Sequence, residues 1–292
     1  MRKWTSMLLT VPLLLSITAC GQKGESAPTG ASQPAAGMNQ PTATSKVEAT
    51  KGVPTAEELI KKTSEASQKL KSYSMDTKMD QNISVTVDGK KQDQKVNMNM
   101  KTDVIQEPIA MYQEIKMTMP GNDQTQEIKQ YITQEGIYMQ SQGTWTKLPD
   151  NTKDQLMATI KNQASPDKQL EQFNSITKDT KVTEDGGNYV MSATISGDSV
   201  KELAKKLMNN SGSNNPQMNA MMDQMNIKSM KMTYAIKKDE YIPMSMNVEM
   251  TMDMDQQGQK ISMDMKMNNT FSNHNQVAEI KVPAEALKGA AS

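Results

Sequence analysis

From Met244 to Asp255 the chain reads Met-Ser-Met-Asn-Val-Glu-Met-Thr-Met-Asp-Met-Asp. Every second residue is apolar, and every residue between is polar or acidic. A period of two places the two sets on opposite sides of an extended strand. The segment is therefore committed to a β-strand with one apolar and one solvated face. The same pattern recurs at Val96-Asn-Met-Asn-Met100, Met230-Lys-Met-Thr-Tyr234 and Ile261-Ser-Met-Asp-Met-Lys-Met267. Methionine, 28 of 292 residues, holds positions that Val, Ile and Phe usually hold on a buried sheet face. An unbranched thioether gives an apolar surface that deforms readily, suited to a greasy and variable guest.

Around these strands the chain alternates between extended and helical writing. Thr55-Ala-Glu-Glu58 is a capping box. Leu59, Ile60, Thr63, Ala66, Ser67 and Leu70 then share one face of a helix over 56–71. Met75, Thr77, Met79, Gln81, Ile83, Val85 and Val87 share one strand face, and Asp88-Gly89 predicts a hairpin into Val96–Val104. Further strands are expected at 111–119, 128–132, 137–140 and 144–148. Leu156, Met157 and Ile160, then Leu170, Phe173 and Ile176, predict two short helices. A strand over 188–196 and a capped helix through Val200, Leu203, Ala204, Leu207 and Met208 follow. Pro216 opens a helix whose face is Met218, Met221, Met222 and Met225. Strands at 227–237, 241–255, 259–272 and 276–282 close the chain. Helix, meander, helices and a longer meander define an α+β domain.

The N-terminus predicts where that domain is displayed. Arg2 and Lys3 precede a run of about a dozen apolar residues that ends in Ile17-Thr18-Ala19-Cys20. This is a secretory signal, too short for a spanning helix. Its end resembles a bacterial lipobox, which implies cleavage before Cys20 and a diacylglyceryl thioether on that cysteine. Residues 1–19 are thus read as a signal peptide. Residues 20–54 are read as a lipidated cysteine with a Gly/Ser/Pro/Thr/Gln tether that cannot bury enough surface to fold. Residues 55–288 are read as the folded domain. Two acyl chains anchor stably where one does not. The expected location is the outer face of the bacterial cytoplasmic membrane, with the membrane itself as first partner and the protein a monomer.

Composition excludes several function classes. Lys+Arg and Asp+Glu are equal at 33, and Arg2 is the one arginine. Loss of Arg2 and Lys3 leaves a slightly acidic chain with no basic footprint, so no nucleic-acid partner is expected. One His and one Cys exclude a His/Cys zinc site and any disulfide within the chain. There is no G-x-S-x-G elbow, Gly-rich phosphate loop or Cys/His pair, so neither an enzyme nor a cofactor is expected. Asp76, Asp80, Asp253, Asp255 and Asp264 alternate with apolar positions and belong to the solvated face.

The lipobox cysteine, the capped helix, Pro120-Gly121, Ile137-Tyr138-Met139, Trp145-Thr-Lys-Leu148 and the closing Ile280-Lys-Val-Pro283 stand in a familiar order. The layout resembles Gram-positive surface lipoproteins with the fold of the carrier LolA and the mycobacterial LppX/LprG group, over about residues 20–288. The resemblance implies a strongly curved antiparallel sheet, an incomplete barrel, with helices packed on its concave face. It also implies a cavity between sheet and helices that accepts acyl chains. The absence of arginine departs from the LolA carriers and leaves little basis for head-group recognition.

The candidate ligand-binding residues are Met98, Met100, Met117, Met232, Met246, Met250, Met263 and Met265 on the strands. Met218, Met221, Met222 and Met225 are added as a movable cover. For most strand methionines plain core is the favoured reading. Met-x-Met also offers two soft ligands on one strand face, which suits Cu(I) or oxidant scavenging. Alternation alone already generates that spacing, so no metal residue is assigned from it. A surface interaction module without a ligand is the third reading.

Overall fold

The computed structural model describes residues 52–87, 89–119, 122–151, 153, 156–157, 176–197, 199–200, 225–256 and 259–289. Helix α1 (Ala56–Ser67) starts where the capping box predicts. The Thr55 hydroxyl accepts from the Glu58 amide at 3.2 Å, and Glu58 Oε2 accepts from the Thr55 amide at 3.0 Å. Its buried face is Leu59, Ile60, Thr63 and Ser67.

Six strands follow as a meander: β1 (Ser72–Val87), β2 (Lys90–Gln106), β3 (Ile109–Met119), β4 (Asn122–Thr133), β5 (Gly136–Ser141) and β6 (Thr144–Lys147). The β1–β2 turn is made at Gly89, whose φ of +75° suits a residue without a Cβ. The second group is β7 (Thr180–Asp185), β8 (Asn188–Ile195), β9 (Met225–Lys237), β10 (Pro243–Gln256) and β11 (Gln259–Ser272). A six-residue helix, α2 (Ala284–Gly289), comes last among the described elements.

All eleven strands form one antiparallel sheet in the order β6-β5-β4-β3-β2-β1-β11-β10-β9-β8-β7. Two meanders thus grow outward from a shared seam, β1 against β11. Residues about 200 apart in sequence meet there, with Met75 opposite Phe271 and Met79 opposite Met267. The sheet is open, with β6 and β7 as its edges. A twisted antiparallel sheet this wide curls, and this one is curved. Register shifts in β10 at Pro243/Ser245 and Thr251/Met252 bend the strand locally.

The core lies on the face that the alternation predicts. Leu59 and Ile60 of α1 pack with Tyr73, Val104, Met111, Ile132 and Ile137 from the first meander. They also pack with Met191, Met232, Tyr234, Ile236, Met246 and Phe271 from the second. The helix layer expected on the concave face falls mostly outside the described residues. At its margins Leu156 and Met157 pack against the core, and Ile176 and Val200 are buried within it.

The structure corrects two sequence expectations and adds one strand that the sequence reading left out. Residues 276–282 are not a strand. A continuing meander would place them beside β11, but β1 and β10 already occupy both of its sides. Thr180–Asp185 is a strand although Val182 is its one apolar residue, because it needs only pair with β8 at the sheet edge. Met225 does not close a helix. It opens β9 as the partner of Met254.

The loop after β11 clamps the start of β1. The Asn275 amide donates to the Ser72 carbonyl, and the Lys71 amide donates to Asn275 Oδ1 at 2.7 Å. Asn273 and Asn275 adopt φ of +51° and +58°, a region asparagine tolerates. Between them, His274 lies 3.0 Å through Nε2 from the Pro243 carbonyl. Partial burial lowers its pKa, against the pull of that carbonyl. An imidazole so held stays neutral in the fold while the unfolded chain takes up a proton. Stability is therefore full above the unfolded value near ~6.5 and declines as the pH falls from there through the folded pKa. His274→Asn is expected to flatten that decline, measured as the urea midpoint between about pH 7 and 5.

Candidate functional site

Strand register turns the alternating residues into rows that run across the sheet. One row on the apolar face joins Met117, Met98, Met79, Met267, Val248, Met232 and Ala193 from β3 through β8. Two residues along, Gln81, Met265, Met250, Met230 and Ile195 form the next. Beyond that, Ile83 faces Met263 and Met263 faces Met252. Val85 faces Ile261 and Ile261 faces Met254.

Burial on β1 and β11 changes from row to row along the strands. At the Tyr73/Phe271 end the face is closed. Phe271 is 1% exposed and Tyr234 is fully buried, with ring centroids 6.2 Å from Phe271 to Tyr73 and 6.5 Å to Tyr234. Toward the β1–β2 and β10–β11 tips the same face is half-buried. Ile83, Val85, Met254, Ile261 and Met263 all lie there, outside the packed core. Val87, at the tip, is 40% exposed.

The sequence-derived methionines divide along this gradient. Met232, 3% exposed, and Met246, 8% exposed, belong to the closed end and serve packing. Met250 and Met265 are half-buried against the core. Met98, Met100, Met117 and Met263 are half-buried and no part of it. Met98 and Met117 are direct partners, as are Met250 and Met265. Met218, Met221 and Met222 lie outside the described residues, as does Cys20. The cover they were expected to form is therefore not described. Met79, Met230, Met252, Met254 and Met267 share the face and were not singled out, although their alternation was plain in the sequence.

Several polar groups on this face are paired. Thr77 Oγ1 donates to Asn269 Oδ1 at 2.6 Å, and both residues are buried. Gln81 Nε2 donates to the Met263 sulfur, and Gln113 Nε2 to Met100 and Thr102. Satisfied amides of this kind lower the cost of polar atoms under an apolar surface.

The opposite face is charged where the acidic residues were expected. Lys228 lies 2.6 Å from Asp253, whose carboxyl is held below its ordinary pKa by Lys228 and by the Ser262 hydroxyl. Asp264 accepts from Thr251 at 2.8 Å. Asp76, Asp80, Asp255 and Asp264 are exposed. Sequence reading missed one apolar feature here. Tyr131, Tyr138 and Trp145 pack under Ala286 of α2, on the opposite side of β4 and β5 from Ile132 and Ile137. Tyr112 packs tilted against Tyr131, ring centroids 4.7 Å apart, and burial pushes its hydroxyl up to about 12.

Among the described residues no three His, Cys, Asp or Glu side chains lie together as a metal site, and no helix is long and apolar enough to cross a membrane. A family model, the family of unknown function DUF6612, matches residues 55–291. The chain belongs to the DUF6612 family. The match begins at the N-cap of α1 and takes in both meanders of the DUF6612 sheet. Comparison with curated protein sequences finds no match.

Among solved structures this DUF6612 protein is similar to LprF from Mycobacterium bovis, at 13% identity over 80% of this chain and 100% of that one, with a TM-score of 0.40. It is also similar to a DUF1329 family protein from Desulfovibrio piger, at 9% identity over 77% and 93% of the chains, TM-score 0.23. A β-barrel-like DUF1849 protein from Brucella abortus matches at 6% identity over 68% and 97%, TM-score 0.20.

Proposed function

We propose that this protein is a lipid-anchored extracytoplasmic lipoprotein, not an enzyme, that binds an apolar ligand with one or more acyl chains along the half-buried end of its methionine-rich sheet face. The observation that carries this reading is the burial gradient. One continuous apolar face is fully packed at the Phe271 end and only half-covered at Ile83, Val85, Met254, Ile261 and Met263. Apolar rows that continue past the packed core offer area for a guest, at roughly 25 cal/mol per Å² before ordering losses. Methionine suits such a surface because it repacks around chains of different length and saturation.

The acyl-chain class follows from the likeness of element order to the LolA and LppX/LprG carriers. The lack of arginine outside the leader supports tolerance of different head groups. Cys20 would carry the anchor, and the domain of residues 55–288 would sit above the membrane on the 20–54 tether.

Two measurements test the reading. Native mass spectrometry of the full chain, extracted in mild detergent, is expected to show adducts with the masses of membrane lipids; bare protein alone would refute the ligand. Cys20→Ser is expected to move the protein almost entirely from the membrane to the soluble fraction. Retention of the variant on the membrane would refute the anchor.

A further inference from the structure

We propose that the thioethers of Met98, Met79 and Met267 form a Cu(I) site on the apolar face of the sheet, with Met117 beside them as a fourth sulfur. This site does not rest on the acyl-chain reading. It stands on register, which the sequence alone does not supply. Met98 on β2 is the direct partner of Met79 on β1, and Met79 is the direct partner of Met267 on β11. Met117 on β3 is in turn the partner of Met98. Adjacent strands lie about 4.8 Å apart, so same-face partners are near neighbours. Each sulfur sits two bonds beyond its Cβ on an unbranched stem. The two flanking side chains need only lean toward the middle one to bring three sulfurs around a single ion.

Chemistry and exposure both favour a soft monovalent metal. Neutral thioethers hold hard cations poorly and select Cu(I). Harder ligands do not compete at this place, because the face carries no carboxylate and no imidazole along the row, and His274 is committed to the Pro243 carbonyl in a separate loop. The four sulfur residues are half-buried, which shields an ion from bulk water while leaving it reachable. Core packing alone does not account for them. Met79, Met98 and Met117 lie outside the packed core and Met267, half-buried, packs against it, whereas Met111 and Met191 supply methionine to that core at 6% and 0% exposure. A position needing only bulk is better specified by Leu, Ile or Val.

A thioether takes up no proton in this range, unlike a thiolate or a neutral imidazole. Binding should therefore be insensitive to acid, which separates this site from any His or Cys ligation. The test uses the full chain as Cys20→Ser, so that no thiol competes, titrated anaerobically with Cu(I) against a chromophoric Cu(I) chelator. One ion per chain is expected, with sulfur-only coordination by X-ray absorption and equal affinity at about pH 7 and 5. The triple variant Met79→Leu/Met98→Leu/Met267→Leu is expected to lose at least tenfold in affinity, and Met79→Leu alone to weaken binding measurably. Both substitutions conserve volume, so folding is retained. Met230→Leu/Met250→Leu/Met265→Leu, in the neighbouring row, is expected to bind as the parent does, because those three methionines are also direct partners but all pack against the core, whereas Met79 and Met98 do not. No uptake against the chelator, nitrogen in the coordination shell, an unaffected first-row triple or an equal loss in the second-row triple would each overturn the assignment.

Discussion

Phe271→Ala is expected to lower the stability of the fold by about 3–5 kcal/mol, read as a shift of the urea unfolding midpoint. Phe271 is 1% exposed and stands on β11 opposite Met75 of β1, where the two meanders join. Tyr73 from the first meander and Tyr234 from the second flank it, so one ring packs against both halves of the sheet. Truncation removes the transfer free energy of the ring. It also leaves a cavity that two large, fixed neighbours cannot fill. The same substitution logic applied six residues earlier gives the contrast. Met265→Ala removes a side chain of comparable reach from the half-buried part of the face. Its cross-strand partners there, Met250 and Gln81, are long unbranched side chains that relax into the space, so its loss should be less than half that of Phe271→Ala. Equal losses at the two positions would mean that the face is packed uniformly, and the burial gradient would not describe its energetics.

The alternation in the sequence was enough to identify which residues share the apolar face, because side-chain direction in a strand depends only on parity. It was also enough to place the start of α1, since Thr55 and Glu58 satisfy each other's amides locally. Pairing is a different matter. Met79 and Met267 each announce an apolar face, but nothing local says that they are opposite one another across the seam. The rows, and with them the three neighbouring sulfurs, become visible only with register.

Edges and ends were equally illegible. Thr180–Asp185 pairs at the sheet edge with almost no apolar signature, whereas 276–282 alternates convincingly but follows β11, which is already paired on both sides. The aromatic cluster of Tyr131, Tyr138 and Trp145 escaped for a related reason. Its residues have the parity of the solvated face, and only the covering helix α2 makes that patch apolar. Pro283 just before Ala284 was a readable helix start.

Val85→Glu together with Ile261→Lys is expected to reduce affinity for a fluorescent fatty acid by more than about tenfold while leaving the urea midpoint nearly unchanged. The two residues are direct partners on β1 and β11, both half-buried and both outside the packed core. Placed opposite one another, the new charges can pair across the strands, so the sheet itself has little to lose. An acyl chain lying over them has much to lose. It would cover charged groups that are otherwise solvated, at a cost of several kcal/mol, and each 1.4 kcal/mol is a factor of ten in binding. The double variant therefore separates the two meanings of an apolar row. If Val85 and Ile261 were only the thin end of a core, changing them would shift the unfolding midpoint and leave fatty-acid binding as it was. If they are contact surface for a guest, binding falls and folding holds.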